Sequence, residues 1–555
     1  MPTGKALLKV FTRIRTSFLA LGVVVLACVY AWASGISIPD NSRLNVNSGE
    51  LHLELALPGH VTNSGVIKTT TGKVRLNGDW NTLGTGYYDA GTGTVVFLAS
   101  GGLETITPGS NVSDAFYNLT HAGAATLKVV TNALNIRGGF TNQAGIFDAN
   151  GLTMNVGGDW ANTSAAAPSF IPNGNIVHLN GADQQILGQT TFYEIDKQIY
   201  AGPSVQLTLP SGLAQTITHK LTLRGSSDVL LALRKGAGTD AAQLKLLSGG
   251  LQDIARVDVQ DNDASGGLTL VARSSPDHAA PAYKTTNWAF GSVTVKWDGS
   301  DDTRWDNPYN WNLGIVPESG DTAIIRSVDE DNANAPIPHQ PVLAHDVTVG
   351  VLQIRNGAGV DLAQHNMTVQ GALTNAGTIT LAGNETVTAA SLADTGTFRY
   401  VGMTNGTLNA VISGNFIIGG TALSTYHALV VEEQNVSSQR DTFTIASDLS
   451  VTTDAVFTAG AVAVASGKKL SVGGGMTVNG ATFDASMASV DTFGFVLSGG
   501  SFSAPGAAGI FTVSGDFTHS AGTFTPNDGT LTLDGTSTVA PSIQTLKGST
   551  GFYSL

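Results

Sequence analysis

Gly78-Asp79-Trp80 opens a run of landmarks that continues through Ala90-Gly91-Thr92-Gly93-Thr94-Val95-Val96-Phe97 and ends at Phe116-Tyr117-Asn118-Leu119. The series returns from Gly158-Asp159-Trp160, through Asn173-Gly174-Asn175-Ile176-Val177-His178-Leu179, to Phe192-Tyr193-Glu194-Ile195. A third copy starts at Gly515-Asp516-Phe517, passes Asn527-Asp528-Gly529-Thr530-Leu531-Thr532-Leu533 and reaches Phe552-Tyr553-Ser554-Leu555. The Asp-to-Phe separations are 37, 33 and 36 residues, and Gly414-Asn415-Phe416 is a looser fourth start. Ordered landmarks that return three times identify a repeat architecture, in which each unit buries its apolar face against its neighbour.

A shorter period runs inside the long one. Apolar-polar-apolar triplets stand at Leu134-Asn135-Ile136, Leu221-Thr222-Leu223, Leu449-Ser450-Val451, Leu470-Ser471-Val472 and Phe511-Thr512-Val513. Neighbouring triplets are commonly ~15–25 residues apart, with Asn-Gly, Asp-Gly, Gly-Gly or Ser-Gly turns after them. Alternation of this kind marks a strand with one buried face. A propeller would need four strands in ~40–50 residues, and a stack of sandwiches would need units of ~100 residues. One turn of chain per rung fits the spacing. The expected fold is therefore all-β: a right-handed parallel β-solenoid (β-helix), in two consecutive arrays, of about 25 rungs at ~4.8 Å rise.

Composition agrees. Among 555 residues there are 67 glycines, and charged residues make up 13%, against roughly 25% in an average domain. With 42% hydrophobic residues the chain lacks the polar, highly charged balance of a disordered segment. Lys5, Lys9, Arg13 and Arg15 precede an apolar run from Phe18 to Ala33, with Ala31-Trp32-Ala33 placing small residues where a signal peptidase reads. The run of 16 residues is short for a membrane span of ~20. An uncleaved anchor and, through Val25-Leu26-Ala27-Cys28, a lipoprotein signal are the other readings. Cys28 is the only cysteine, so the chain has no disulfide of its own, no cysteine zinc site and no thiol chemistry after cleavage. Removing residues 1–33 takes four basic and no acidic residues from totals of 28 and 42, leaving a net charge of −18. Such a surface repels phosphate backbones, which excludes nucleic acid as an expected partner.

Four segments follow: a signal peptide over 1–33, a first solenoid over 34–290, a Trp-rich entry or cap over 291–325, and a second solenoid over 326–555. Trp297, Trp305 and Trp311 crowd into 15 residues among Gly299, Pro308, Gly314, Pro317 and Gly320. Large aromatic rings suit the capping of an open apolar end; an aromatic platform for stacking carbohydrate is the functional alternative. The chain stops inside a landmark series, so the second array is expected to be truncated.

These Gly-Asp-Trp/Phe, Gly-Thr-Val-Val-Phe and Phe-Tyr-Asn-Leu series resemble the β-strand repeats of large bacterial surface and secreted proteins. The stretch from Trp297 through Asn310-Trp311, Gly314, Val316-Pro317 and Asp321 is similar to the entry motif of autotransporter-like or haemagglutinin-like β-helical exoproteins. Together the two resemblances cover most of residues 50–555. They imply a secreted or cell-surface adhesin or structural stalk, with surface glycans or other cell-surface molecules as partners. Contact with a membrane is expected only through export or an anchor.

The alternative is a carbohydrate-active β-helix enzyme, a polysaccharide lyase or hydrolase, since fold alone decides no activity. No His-Glu-x-x-His run, Gly-x-Ser-x-Gly elbow or phosphate loop occurs. The expectation is no enzyme and no cofactor, with calcium as the one candidate ligand. Its candidate residues are Asp258, Asp261 and Asp263, whose closely spaced oxygens suit that ion. The same residues equally suit a solvated turn in which Asp and Asn bond their own backbone. Asp298, Asp301, Asp302, Asp306 and Asp329-Glu330-Asp331 read as exposed turns.

Overall fold

The computed structural model describes residues 30–32, 35–54, 58–111, 113–200, 202, 205–277, 284–403, 407–434, 441–535 and 543–555. The expected signal peptide lies outside them, apart from the backbone of Tyr30–Trp32, which pairs antiparallel with Gly35–Ile38. The chain is an all-β solenoid of about 22 stacked parallel coils. Among the described residues the only helical turns are two short 3-10 segments, Pro308–Asn310 and Ile412–Gly414. Two compact units divide it, Met1–Asn175 and Ile176–Leu555.

In the first unit the triplets stack in register. Glu50–Leu53, Lys73–Leu76, Thr94–Phe97, Asn118–His121, Phe140–Asn142 and Trp160–Asn162 lie side by side as parallel strands. One column through them reads Leu51, Val74, Val95, Leu119, Phe140 and Trp160, at intervals of 20 to 24 residues. From Val74 onward every member is fully buried. The strand alternation puts these side chains inward and their neighbours outward. Each fully buried member contributes about 1.5–3 kcal/mol.

A second inward column starts apolar and turns polar: Leu53, Leu76, Phe97, then His121, Asn142 and Asn162. His121 Nδ1 lies 2.8 Å from Asn142 Oδ1, and Asn142 Nδ2 donates to Asn162 Oδ1 at 2.9 Å. Identical amides repeated one coil apart satisfy each other along the stack, which is why polar side chains are tolerated inside.

The long landmark series is not a structural period. Trp80 pairs with Val61 and Ile106, whereas Trp160 pairs with Phe140 on another face of the coil. Eighty residues are not a whole number of coils, so the motif returns rotated to a different side.

In the second unit, strands before and after the Trp-rich segment keep separate ladders. Among the described residues no strand up to Trp288–Ala289 pairs with one from Thr294–Lys296 onward. The later ladders surround one apolar core running from Val295 to Leu531. Phenylalanines stack through it: Phe483, Phe502 and Phe524 are register partners, with ring centroids 5.5 and 5.9 Å apart and nearly parallel. One ladder ends at Phe416–Ile418, where Thr421–Ala422 pairs antiparallel against it. An antiparallel turn of this kind closes an edge to further parallel coils.

Candidate functional site: a carboxylate, an imidazole and a phenol in series

The expected calcium residues do not converge. Asp258 lies on the outward side of Val257–Val259 and forms an ion pair with Arg234 at 2.5 Å. Asp261 takes a left-handed backbone conformation, φ 51°, and its carbonyl accepts the Ala242 amide. Asp263 Oδ1 accepts the Ser265 amide at 2.8 Å, a turn bonding its own backbone. Among the described residues no group of three or more His, Cys, Asp or Glu side chains is arranged to hold a metal ion.

The tryptophans are interior. Trp297, Trp305 and Trp311 are 0, 1 and 2% exposed and meet edge to face, with centroids 5.1 and 4.9 Å apart. Trp297 Nε1 donates to the His339 carbonyl, and Trp311 Nε1 to the Trp305 carbonyl, each at 2.8 Å. Rings so enclosed offer no face to a sugar. The nearby acidic turns are tied up as well. Asp301 and Asp302 accept from the Asn307 and Asn310 side chains, and Asp329 and Asp331 hold the buried Arg326 guanidinium.

The Trp-rich segment docks on the coils that precede it. Gln252 Nε2 donates to the Leu313 carbonyl at 2.8 Å, and Arg273 clamps Asp321 through both of its terminal nitrogens. Gly314, at φ +65°, lies against Gly250 so closely that a Cβ would overlap the Gly250 carbonyl.

This docking assembles a set of residues 115 positions apart in sequence. Thr190–Gln198 and Ala214–Arg224 are parallel neighbours whose register slips between Phe192 and Glu194, so that Tyr193 faces two residues, Thr218 and His219. Bulges re-aim side chains. Here His219 stacks on the Tyr193 ring, centroids 4.4 Å apart and 6° from parallel. His219 Nδ1 lies 2.7 Å from Glu194 Oε1, and Nε2 lies 2.7 Å from Tyr309 Oη. Tyr309 comes from the Pro308–Asn310 turn, fixed by the Asn307 side chain accepting its amide and by Ser300 Oγ donating to its carbonyl.

The hydrogen-bond roles follow from the donors available. A carboxylate only accepts, so Nδ1 carries the proton toward Glu194; the neutral ring then accepts from the phenol at Nε2. Partial burial, with Tyr193, Glu194 and Asp301 nearby, pushes the Tyr309 phenol above the ordinary tyrosine range and keeps it protonated. On the neighbouring strand Ile176–Leu179, His178 Nδ1 lies 2.9 Å from Asp196, its register partner, which holds the imidazole above its usual value.

A separate cleft of about 590 Å³ opens on the face carrying Val205–Leu209, Leu231–Lys235 and Val257–Val259. Asp183, Gln206, Asp228, Arg234 and Asp258 supply its polar lining.

Sequence reasoning registered Tyr193 and Glu194 only as a repeat landmark. The available signal was a substitution within that landmark: Glu194 stands where the other copies carry Asn118 and Ser554. Comparison of the chain with protein-family models, with curated proteins and with solved structures finds no match.

Proposed function

We propose that the chain is an exported bacterial surface or extracellular protein that works as an adhesin or structural stalk. The observation that carries this reading is how the outward charges are spent. Lys68 pairs with Asp89 and Lys128 with Asp148, each directly across a coil boundary. Arg224 with Asp253, Arg399 with Glu432 and Lys469 with Asp491 do the same diagonally. Ionisable groups committed to riveting neighbouring coils are not free for chemistry, and what remains outward is a repeated polar surface for contact. The basic-then-apolar N-terminal sequence supports export, and the likeness to bacterial surface repeats supports adhesion.

Cell fractionation and protease shaving test the location, and attachment of cells with and without the gene to glycan-coated and bare surfaces tests the role. The reading expects surface-exposed protein and reduced attachment in the deletion strain. Protein retained in the cytoplasm, or unchanged attachment, overturns it.

The cleft lined by Asp183, Asp228, Asp258 and Arg234 is the one observation that favours the second reading, a polysaccharide-cleaving enzyme. Carboxylates and a basic residue on one groove are what such chemistry needs. Reducing-sugar release from acidic polysaccharides, with and without calcium, decides between the two: reproducible turnover that is lost in Asp228→Asn favours the enzyme.

A further inference from the structure

Glu194, His219 and Tyr309 stand in the order carboxylate, imidazole, hydroxyl, with both links at 2.7 Å. A base within hydrogen-bond reach of a hydroxyl, and itself oriented by a third group, is the general signature of an activated nucleophile. The imidazole is further held by the stacked Tyr193 ring and by the register slip that places it. Tyr309 is 36% exposed, so an incoming electrophile reaches the phenol from solvent, while the His219 and Glu194 side chains are 28 and 18% exposed. Glu194 and His219 meet across the boundary between two neighbouring strands, and none of the three residues lines the polar cleft.

We propose that Tyr309 is a nucleophilic tyrosine, activated by His219, that accepts an acyl group from carboxylic esters. In the step, Oη attacks the ester carbonyl carbon as its proton passes to His219 Nε2. A new carbon–oxygen bond forms to Oη, and the bond to the leaving alkoxide or phenoxide breaks. The proton then leaves His219 for that group or for solvent, giving an O-acyl tyrosine and an alcohol. Glu194 is a positioning residue: it holds the imidazole in the tautomer that leaves Nε2 free to accept. Because the phenol is protonated at rest, reactivity depends on the base rather than on standing phenolate. The inference is independent of whether the protein is an adhesin.

The full chain is treated with p-nitrophenyl acetate at neutral pH, and acetylation is followed tyrosine by tyrosine by peptide mass spectrometry. Tyr200 and Tyr553, 83 and 66% exposed, are internal standards for unassisted reaction. Exposure alone would make Tyr309 the slowest of the three. General-base assistance makes it the fastest, by on the order of a hundredfold. His219→Ala is expected to bring Tyr309 down to or below the rate of Tyr200, with added imidazole restoring part of the difference. Tyr309 reacting no faster than Tyr200 in the unmodified protein, or a fast reaction unchanged in His219→Ala, overturns the proposal.

Discussion

Glu104 occupies an inward position of Leu103–Thr107, directly beside the fully buried Leu127 of the next coil. It is 2% exposed, and the Ala99 amide donates to its Oε1 at 3.3 Å. Burial raises its carboxyl to about 7, with the Ala99 bond pulling the other way and Asp79 adding to the rise. Its proton is therefore held more tightly in the folded chain than in the unfolded one, where the ordinary value is 4.5. The resulting stability is complete below that unfolded value and is lost as pH rises toward 7, a span worth about 3 kcal/mol. Glu104→Gln keeps the buried shape without the charge. The variant should match the parent near pH 4 and exceed it by up to about 3 kcal/mol at pH 8, measured by urea unfolding at the two values. A parent and variant with parallel pH profiles would place no ionised carboxylate in that site.

At the scale of elements, the coils turn where glycine permits two chains to touch. Gly480, Gly500 and Gly522 stand one above another at φ +116°, +70° and +96°. A Cβ on Gly500 would run into the Ala481 carbonyl below it. Gly500→Ala combines that overlap with a left-handed backbone and is expected to cost about 1–3 kcal/mol, read as a lowered midpoint of thermal unfolding. The three tryptophans belong to the apolar core that runs from Val295 to Leu531. Trp311→Ala removes the ring that contacts both Trp297 and Trp305 and is expected to cost about 3–5 kcal/mol. Intrinsic fluorescence should report it as early exposure of the remaining pair. Reading these rings from sequence as a cap recognised their apolar character, but the Trp297 ring finds its partner at the His339 carbonyl, and the segment around the rings is held through Leu313 and Asp321 by Gln252 and Arg273, residues that no local pattern connects to it.

For the molecule as a whole, stability comes from repetition: about 22 coils, which within each ladder supply one another's backbone partners and apolar floor. With Cys28 as its only cysteine, the chain can close no disulfide within itself. Its unfolding midpoint in urea should be the same with and without a reducing agent, and a shift would reveal pairing between two chains. The all-β solenoid was legible because it is written in local signals. Period-two alternation and turn residues recur at coil spacing, and stacking only has to bring like beside like. The long landmark series misled on period, since eighty residues fall between whole numbers of coils and Trp80 and Trp160 end on different faces. Asp258, Asp261 and Asp263 show the opposite limit: closeness in sequence did not bring their carboxylates together, because Asp258 pairs with Arg234 from the adjoining strand and Asp263 caps its own turn. Alternation thus settled which residues face inward. Which outward groups meet was decided by register, by a single bulge and by the docking of a distant turn, and it is those long-range contacts that set Glu194, His219 and Tyr309 in line.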